Sequence, residues 1–566
     1  MRIERYNNAM TLAASLKEAI TAALKTLGLS LPEGLQIEHP ADLSYGDYAA
    51  NVALLLAKEA GVNPRELAER IVAALPKIPP TEKVEVAGPG FINFHLSQQF
   101  FVDQVRDILK DGERWGRNDT LSGKKVMVEY TDPNPFKEFH IGHLMSNAIG
   151  ESVSRLVESS GAEVRRANYQ GDVGLHVAKA LWALMRQGQG VESAEELGKA
   201  YAAGAAAYEQ DPQAKKEIDE INRKVYARSD KEINQRYDEG RALSLEHFEK
   251  IYKKLGTKFD FYFFESETGA IGKDIVETHK DVFEQSDGAI VFRGEKYGLH
   301  TRVFLTSEQL PTYEAKDLGL LKVKSEKYPF DISITVTAEE QKEYFKVVKE
   351  AMKQVFANLA TKVVHITHGM MRLPSGKMSS RTGDVVGGES LLLQAEEEVL
   401  GKMRESDIAQ KESVAEAIAV AAIKYSVLKQ ASGRDIIFNL DQALSFEGDS
   451  GPYLQYTNAR ILSLLEKAKA AGVAEKAERA DIGVTDVEKL LYRFPEVVER
   501  AAHEYEPHYV TNYLIELAGA FNSWYGQERI LDDTPAASYK LALAHATAIT
   551  IHNGLFLLGI KAPERM

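Results

Sequence analysis

At 566 residues the chain is too long for one ordinary hydrophobic core and implies roughly three or four domains of about 150 residues each. Hydrophobic residues at 44% and charged residues at 27% are the proportions of a soluble globular protein, and no apolar run nears the ~20 residues needed to cross a bilayer. The absence of cysteine excludes disulfides, thiolate zinc sites and a cysteine nucleophile.

No recognisable zinc spacing joins the 14 histidines, so no tightly bound, protein-ligated metal is expected. A net charge of −14, with pI near 5.6, opposes indiscriminate coating of nucleic acid but leaves room for a local basic face. The opening Met1-Arg2-Ile3-Glu4-Arg5 lacks the apolar core of a secretory signal, and the expected location is cytoplasmic, with no membrane partner.

In chain order, residues 1 to about 75 read as helices, including 10–27 and 49–60. Asn63-Pro64-Arg65-Glu66 opens another that reaches Leu75. Strands follow at 83–86 and 91–96, broken by Gly88-Pro89-Gly90. Together these make a small α+β domain over 1–118, which on its own pattern is a packing or oligomerisation domain.

The next strand, 124–130, runs into a turn carrying Asp132, Pro133, Asn134 and Pro135, and a helix starts near His140. Ile141, Leu144, Ala148, Val153, Leu156 and Val157 recur at helical intervals, with Gly161 available as a stop. A strand at 163–168 completes a βαβ unit, which favours a parallel sheet with its ligand at the strands' carboxyl ends. Beyond Gly171-Asp172-Val173-Gly174 come a helix at 175–185 and a charged helical stretch over about 193–255, read as an insertion. Strand-like runs resume at 259–264, 289–292, 301–306, 331–337 and 362–367, with a helix over 338–356. These supply the second half of a doubly wound sheet. From Ser390 onward the pattern is helical almost to the end, as in a helical bundle.

No Gly-x-Gly-x-x-Gly follows a strand, so nicotinamide dinucleotide binding loses its main support. The segment from Gly369 to Ser379 is no P-loop, because Gly369 and Gly376 are too far apart and Met378 stands where Ser or Thr must hold magnesium. His140 and His143 lie three apart at a helix start, where unpaired N–H groups suit a polyphosphate, and Gly142 lets a flat ring approach the backbone. An isolated pair of this kind is more often a cap or a surface feature. A second motif changes that balance: Lys377-Met378-Ser379-Ser380-Arg381, beside Gly376 and Gly383, makes a cationic loop able to stabilise charge on a pyrophosphate leaving group.

With these two motifs in this order, the chain resembles the class I aminoacyl-tRNA synthetases, and more closely the arginyl-tRNA synthetases over essentially its whole length. The resemblance includes Gly88 to Phe94, Glu129 to His143, Gly171 to Gly174, Tyr313 to Asp317, Gln341, Gly451 to Arg460 and Gly559 to Met566. It implies a multidomain α/β protein with a Rossmann-like doubly wound parallel sheet. The implied parts are an N-terminal α+β domain (1–118) touching the tRNA elbow, a catalytic domain (119–389) with a helical insertion at about 190–256, and an all-α anticodon-binding bundle (390–566). The implied reaction is ATP-dependent ligation of L-arginine to its tRNA through an arginyl-adenylate, with magnesium accompanying ATP and the protein acting as a monomer. The alternatives are a class I synthetase for another amino acid and a non-catalytic tRNA-binding relative.

Carried over by position, His140, His143, Lys377 and Lys137 are the catalytic residues. Gly142, Met378, Ser379, Ser380 and Arg381 join the two histidines and Lys377 around ATP. One well-placed donor of this kind is worth about 3–4 kcal/mol in the transition state. A guanidinium is planar, permanently charged and offers five donors, so its receptor should be carboxylates with a further polar acceptor. Glu129, Tyr313 and Asp317 match the guanidinium-reading positions, while Asn134 and Gln341 match those at the α-amino end. Such a site rejects lysine by roughly 10⁴ without an editing domain.

For tRNA the implied contacts are Phe91 and Asn93 in the N-terminal domain, and Tyr453, Tyr456, Trp524, Tyr525 and Met566 in the bundle, where aromatics stack splayed bases. Two departures stand out. Ser380 replaces the family's second signature lysine, leaving Lys137 or Arg381 to supply that charge, and Asp132 stands where many relatives carry a small residue.

Overall fold

The computed structural model describes residues 12–188, 193–372, 387–404, 408, 410–478 and 482–566. It divides into two compact units. The first comprises Met1–Trp115, Leu464–Phe494 and Gly519–Thr550, the second Gly116–Ser463, Pro495–Ala518 and Ile551–Met566.

In the first unit, helices Leu12–Thr26, Val52–Ala60, Pro64–Ala74 and Gln98–Asp111 accompany a four-stranded antiparallel sheet. Asn63 caps Pro64–Ala74 by accepting the Arg65 N–H at 2.9 Å, and Pro64 takes the first helical position, where its missing N–H costs nothing. Ala49 and Ala50, expected as the start of a helix, instead belong to the strand Tyr48–Ala50, which pairs with Phe94, Asn93 and Ile92. Tyr48 and Ala50 are buried and Ala49 is not, an alternation of period two that three residues are too few to reveal. The core gathers Leu16, Ile20, Phe94, Phe101 and Tyr492.

In the second unit, β1 (Lys125–Glu129), α1 (Ile141–Ser159) and β2 (Glu163–Gln170) form the expected βαβ unit. Helix α2 (Leu175–Gln187) leads into the insertion, α3 (Ala194–Gln210), α4 (Pro212–Ala227) and α5 (Lys231–Leu255). Then come β3 (Phe261–Phe264), α6 (Glu265–Thr278), β4 (Glu284–Ser286), β5 (Ala289–Phe292), β6 (Arg302–Leu305) and α7 (Tyr313–Lys327). The alternating part closes with β7 (Ile332–Ala338), α8 (Lys342–Val355) and β8 (Val363–His368).

The main sheet is parallel, in the order β8-β7-β1-β2-β3. Strand order reverses beside β1, which puts the ligand crevice at its carboxyl end. Two strands expected in this sheet lie elsewhere: β5 and β6 pair antiparallel with each other, and β4 pairs with β5. The connection between β5 and β6 holds no crossover helix, and a parallel neighbour requires a crossover of a dozen or more residues.

Met127, Ala167, Phe263, Leu318 and Val348 fill one core of this unit, while Phe136, Val177, Leu181, Ile218 and Tyr237 fill another within the insertion. The larger apolar side chains among these each contribute roughly 1.5–3 kcal/mol on burial. Helix α1 is also gripped from far along the chain. Ser152 Oγ donates to the Leu557 carbonyl at 2.9 Å and Arg155 to the Phe556 carbonyl at 2.9 Å. Among the described residues no helix is long and apolar enough to cross a membrane.

Candidate active site

The chain leaves β1 through a loop whose Thr131, Asp132 and Phe136 have φ of 79°, 46° and 67°. Left-handed backbone at non-glycine residues costs about 1–3 kcal/mol each and persists only where the surroundings over-determine it. They do so here. The Thr131 N–H donates to Ser146 Oγ at 2.9 Å, Asn147 Nδ2 donates to Thr131 Oγ1 at 3.0 Å, and the Phe136 N–H donates to Ser244 Oγ at 3.0 Å. The fully buried Phe136 ring lies against Gly240, where a Cβ would come within 2.4 Å of it. Insertion helix α5 thereby holds the far end of the loop.

His140 ends that loop as the N-cap of α1, and His143 sits one turn in. Their rings stack 3.6 Å apart at 18°, and the His140 main-chain N–H donates to His143 Nδ1 at 3.1 Å. That bond leaves the proton of a neutral His143 on Nε2. Enclosure by protein, with Lys137 and His368 nearby, lowers His140 to about 4. Burial, then the neighbouring His140 and Lys137, pushes His143 well below the usual histidine range. At neutral pH both are uncharged imidazoles at a helix N-terminus, where the helix dipole favours negative charge. Gly142 leaves room for the His140 ring, whose Cε1 would lie 2.9 Å from a Cβ at that position.

The Lys377 to Arg381 motif lies outside the described residues, as do Met378, Ser379 and Ser380. The segment after it returns to the signature helix. Gly387 bridges His140, and the Gly388 N–H donates to the Phe139 carbonyl at 2.7 Å. Beside the first turns of α1 is a small, open hollow lined by Met145, Ile149, His368, Gly369, Ser432 and Arg434. The sequence reading missed this hollow, because its walls come from separate parts of the chain.

At the carboxyl end of β1 the buried Glu129 is 3.1 Å from Lys324 Nζ. Asp317, two turns before Lys324 on α7, accepts the Tyr344 hydroxyl at 2.6 Å. Burial chiefly, and then the Glu129 and Glu265 charges, push Asp317 up to about 8 against the opposing Tyr344 bond. Asp132 is also raised well above the carboxylate range by burial and by Glu129, while its bond from the Tyr169 N–H opposes the shift. Opposite, Glu265 pairs with Lys316 at 2.5 Å, both buried. Asn134 packs against Gly171, where a Cβ would fall 2.2 Å from Asn134 Oδ1 and 3.0 Å from Glu265 Oε1. Tyr313, the first residue of α7, is 60% exposed, and Gln341 lies exposed before α8.

The structure therefore brings Glu129, Asp132 and Asp317 into one charge cluster, with Asn134 against Gly171 and Glu265, and His140 stacked on His143. Three partners were not anticipated: Lys324, Lys316 and Glu265. Lys324 shares the helical face of Asp317, and Glu265 opens a helix directly after a parallel strand. Asp172 was noted only as part of a motif. It is fully buried, accepting Tyr237, Arg241 and Ser266 at 2.7–3.0 Å, and ties the Gly171 to Gly174 turn to α5 and α6.

Residues 104–440 match the profile of the tRNA synthetases class I (R) catalytic domain. The chain belongs to the class I arginyl-tRNA synthetases. Residues 14–96 match the arginyl tRNA synthetase N terminal domain and 454–566 the DALR anticodon binding domain. The arginine–tRNA ligase of Treponema denticola is 32% identical, the alignment covering 96% of this chain and 97% of that protein. For the arginine–tRNA ligase of Lactococcus lactis subsp. lactis the identity is 32%, over 97% and 99%. Thermus thermophilus arginyl-tRNA synthetase superposes with a TM-score of 0.78 at 26% identity, covering 98% of this chain and 100% of that one. The Plasmodium falciparum arginyl-tRNA synthetase, at 20% identity and TM-score 0.76, shares the fold.

Within this arginyl-tRNA synthetase fold the other expected contact residues are placed as follows. Phe91 is 39% exposed at the start of its strand, while Asn93 is buried in the middle of it. Tyr456 is 41% exposed, with its ring edge-on to Phe446, and Tyr453 and Met566 are half-buried. Trp524 and Tyr525, also half-buried, both contact Phe521. Lys137 is half-buried and holds its ammonium 5.1 Å from the Tyr201 ring centre.

Proposed function

We infer that the chain is an arginine–tRNA ligase that activates L-arginine with ATP and passes the arginyl group to tRNA. The observation that carries this reading is an end-to-end relationship to arginine–tRNA ligases, combined with a cluster of carboxyl groups at the carboxyl end of β1 and a stacked signature histidine pair at the start of α1. In the first step an arginine carboxylate oxygen attacks the α-phosphorus of ATP and the bond to pyrophosphate breaks. In the second, a hydroxyl of the terminal tRNA ribose attacks the arginyl carbonyl and AMP leaves. Neither step needs a covalent enzyme intermediate, so catalysis is positioning and electrostatic stabilisation.

We propose that Glu129 and Asp317 receive the guanidinium with Tyr313, and that Asn134 and Gln341 orient the α-amino end. His140 and His143 donate to the phosphates as neutral imidazoles, and Gly142 keeps the His140 ring in place. Lys377, with Met378, Ser379 and Ser380 around it, closes the charge on the pyrophosphate, and Lys137 or Arg381 supplies the second cation. Magnesium arrives on the triphosphate. Among the described residues no group of three or more His, Asp or Glu side chains gathers to hold it.

The three matched segments support a division of labour in which 1–118 touches the tRNA elbow through the exposed Phe91, with Asn93 buried in the same strand, 119–389 catalyses, and 390–566 reads the anticodon. Tyr453, Tyr456, Trp524, Tyr525 and Met566 are the proposed contacts there. A cytoplasmic monomer is proposed on the sequence resemblance. Aminoacylation of total tRNA with each amino acid in turn tests the central reading. Arginine alone should be attached, and charging with another amino acid, or none, overturns it.

A further inference from the structure

We propose that Asp132 is a positioning residue of the arginine site, holding the loop that carries Asn134 by accepting the main-chain N–H of Tyr169 where β1 and β2 part. This rests on the arginine-ligase reading above and deepens it.

The ladder between β1 and β2 is regular as far as Glu129 opposite Ala167, and the Tyr130 N–H still reaches the Ala167 carbonyl at 3.2 Å. There the backbone turns into the left-handed region at Thr131 and Asp132 and leaves the sheet. The next rungs are made by side chains. Asn168 Nδ2 donates to the Tyr130 carbonyl at 3.1 Å, and the Tyr169 N–H donates to Asp132 Oδ1 at 2.7 Å. Asp132 thus supplies the acceptor that a continuing strand would have supplied, and the strands separate without orphaning a backbone donor. Two residues on, Asn134 is set against Gly171 and Glu265. The Tyr169 side chain in turn reaches Thr268 on α6 at 2.8 Å, so the rung ties the loop to the wall bearing Glu265.

A competing role would make Asp132 a further negative charge for the substrate's cationic groups. The geometry favours the acceptor, because Oδ1 is committed to Tyr169 at short distance and Glu129 already places a carboxyl group beside it. A glycine or alanine at this position could not make the rung, because neither has a side-chain acceptor.

Two substitutions separate the roles. Asp132→Asn keeps an Oδ1 acceptor and removes the ionisable carboxyl group, whereas Asp132→Glu keeps the carboxyl group and moves the acceptor out by one methylene. In arginine-dependent ATP–pyrophosphate exchange with the full chain and tRNA, D132N should keep KM for arginine within about threefold of the parent. D132E should raise it about tenfold or more, with KM for ATP within twofold and the thermal midpoint little changed. The reverse order, D132E near the parent and D132N impaired, overturns the proposal, as does an unchanged KM in both. Should D132E fail to fold, D132N decides alone: a tenfold rise in KM for arginine in a folded D132N protein sinks the proposal. A parent protein without arginine-dependent exchange refutes the arginine-ligase reading instead.

Discussion

Lys324 sets its ammonium 3.1 Å from Glu129, with the two side chains only 4% and 5% exposed, so the carboxylate expected to receive a substrate guanidinium already has a resident cation. Neither charge is well solvated. Removing one partner of such a pair strands the other, at a cost of about 3–5 kcal/mol.

Lys324→Met should therefore lower the thermal midpoint by several degrees, and saturating arginine should recover part of the loss by offering its own cation to Glu129. Melting curves with and without arginine check this. A K324M protein stabilised by arginine no more than the parent would show that the guanidinium does not reach Glu129.

Asp317 should make arginine binding proton-linked. With its pKa pushed up to about 8, it is largely protonated at pH 7 in the free protein, and a bound guanidinium favours the ionised form. Binding near pH 7 should release protons and tighten as pH rises toward 8. The stability sign is opposite. Between the ordinary carboxylate range and about 8 the folded state holds the proton that the unfolded state has lost, so Asp317 makes the free protein less stable as pH rises through that window. Calorimetry in buffers of different ionisation enthalpy reads the proton release, and Asp317→Asn should diminish it.

His143→Ala should reduce adenylate formation by about 10² to 10³ while leaving tRNA binding intact, since an oriented donor in the transition state is worth that much. Exchange kinetics and a tRNA filter assay separate the two effects. An unchanged exchange rate would remove His143 from the chemistry.

Gly171→Ala should act on substrate placement. The added methyl would lie 2.2 Å from Asn134 Oδ1, so Asn134 must move. KM for arginine should rise about tenfold, more than kcat falls, because the histidine pair is untouched. A crystal structure of G171A showing Asn134 undisplaced would contradict this.

The sequence resemblance also implies that arginine activation waits for tRNA. Arginine-dependent exchange should be at least tenfold slower without tRNA than with it, and equal rates would reject that dependence.

Much of this was legible from local pattern. Asn63-Pro64 announced a helix start, the spacing of Ile141 to Val157 announced α1, and the two signature motifs announced the chemistry. What stayed hidden was non-local. Tyr48–Ala50 is too short for its period to show, and β5 and β6 carry strand composition without revealing which sheet they join. Glu129 was legible as a receptor, but Lys324 was not legible as its partner, because only the packing of α7 on β1 makes them neighbours. Asp132 looked like an anomaly in a motif until the place where β1 and β2 separate gave it a donor to satisfy.

The grip on α1 from Phe556 and Leu557 has a temporal side. Ser152 and Leu557 are 405 positions apart, so the signature helix obtains its last restraints from chain synthesised long after it. At ~5–20 residues per second the ribosome needs roughly 20–80 s to supply them, an interval in which α1 must be held by its own sheet.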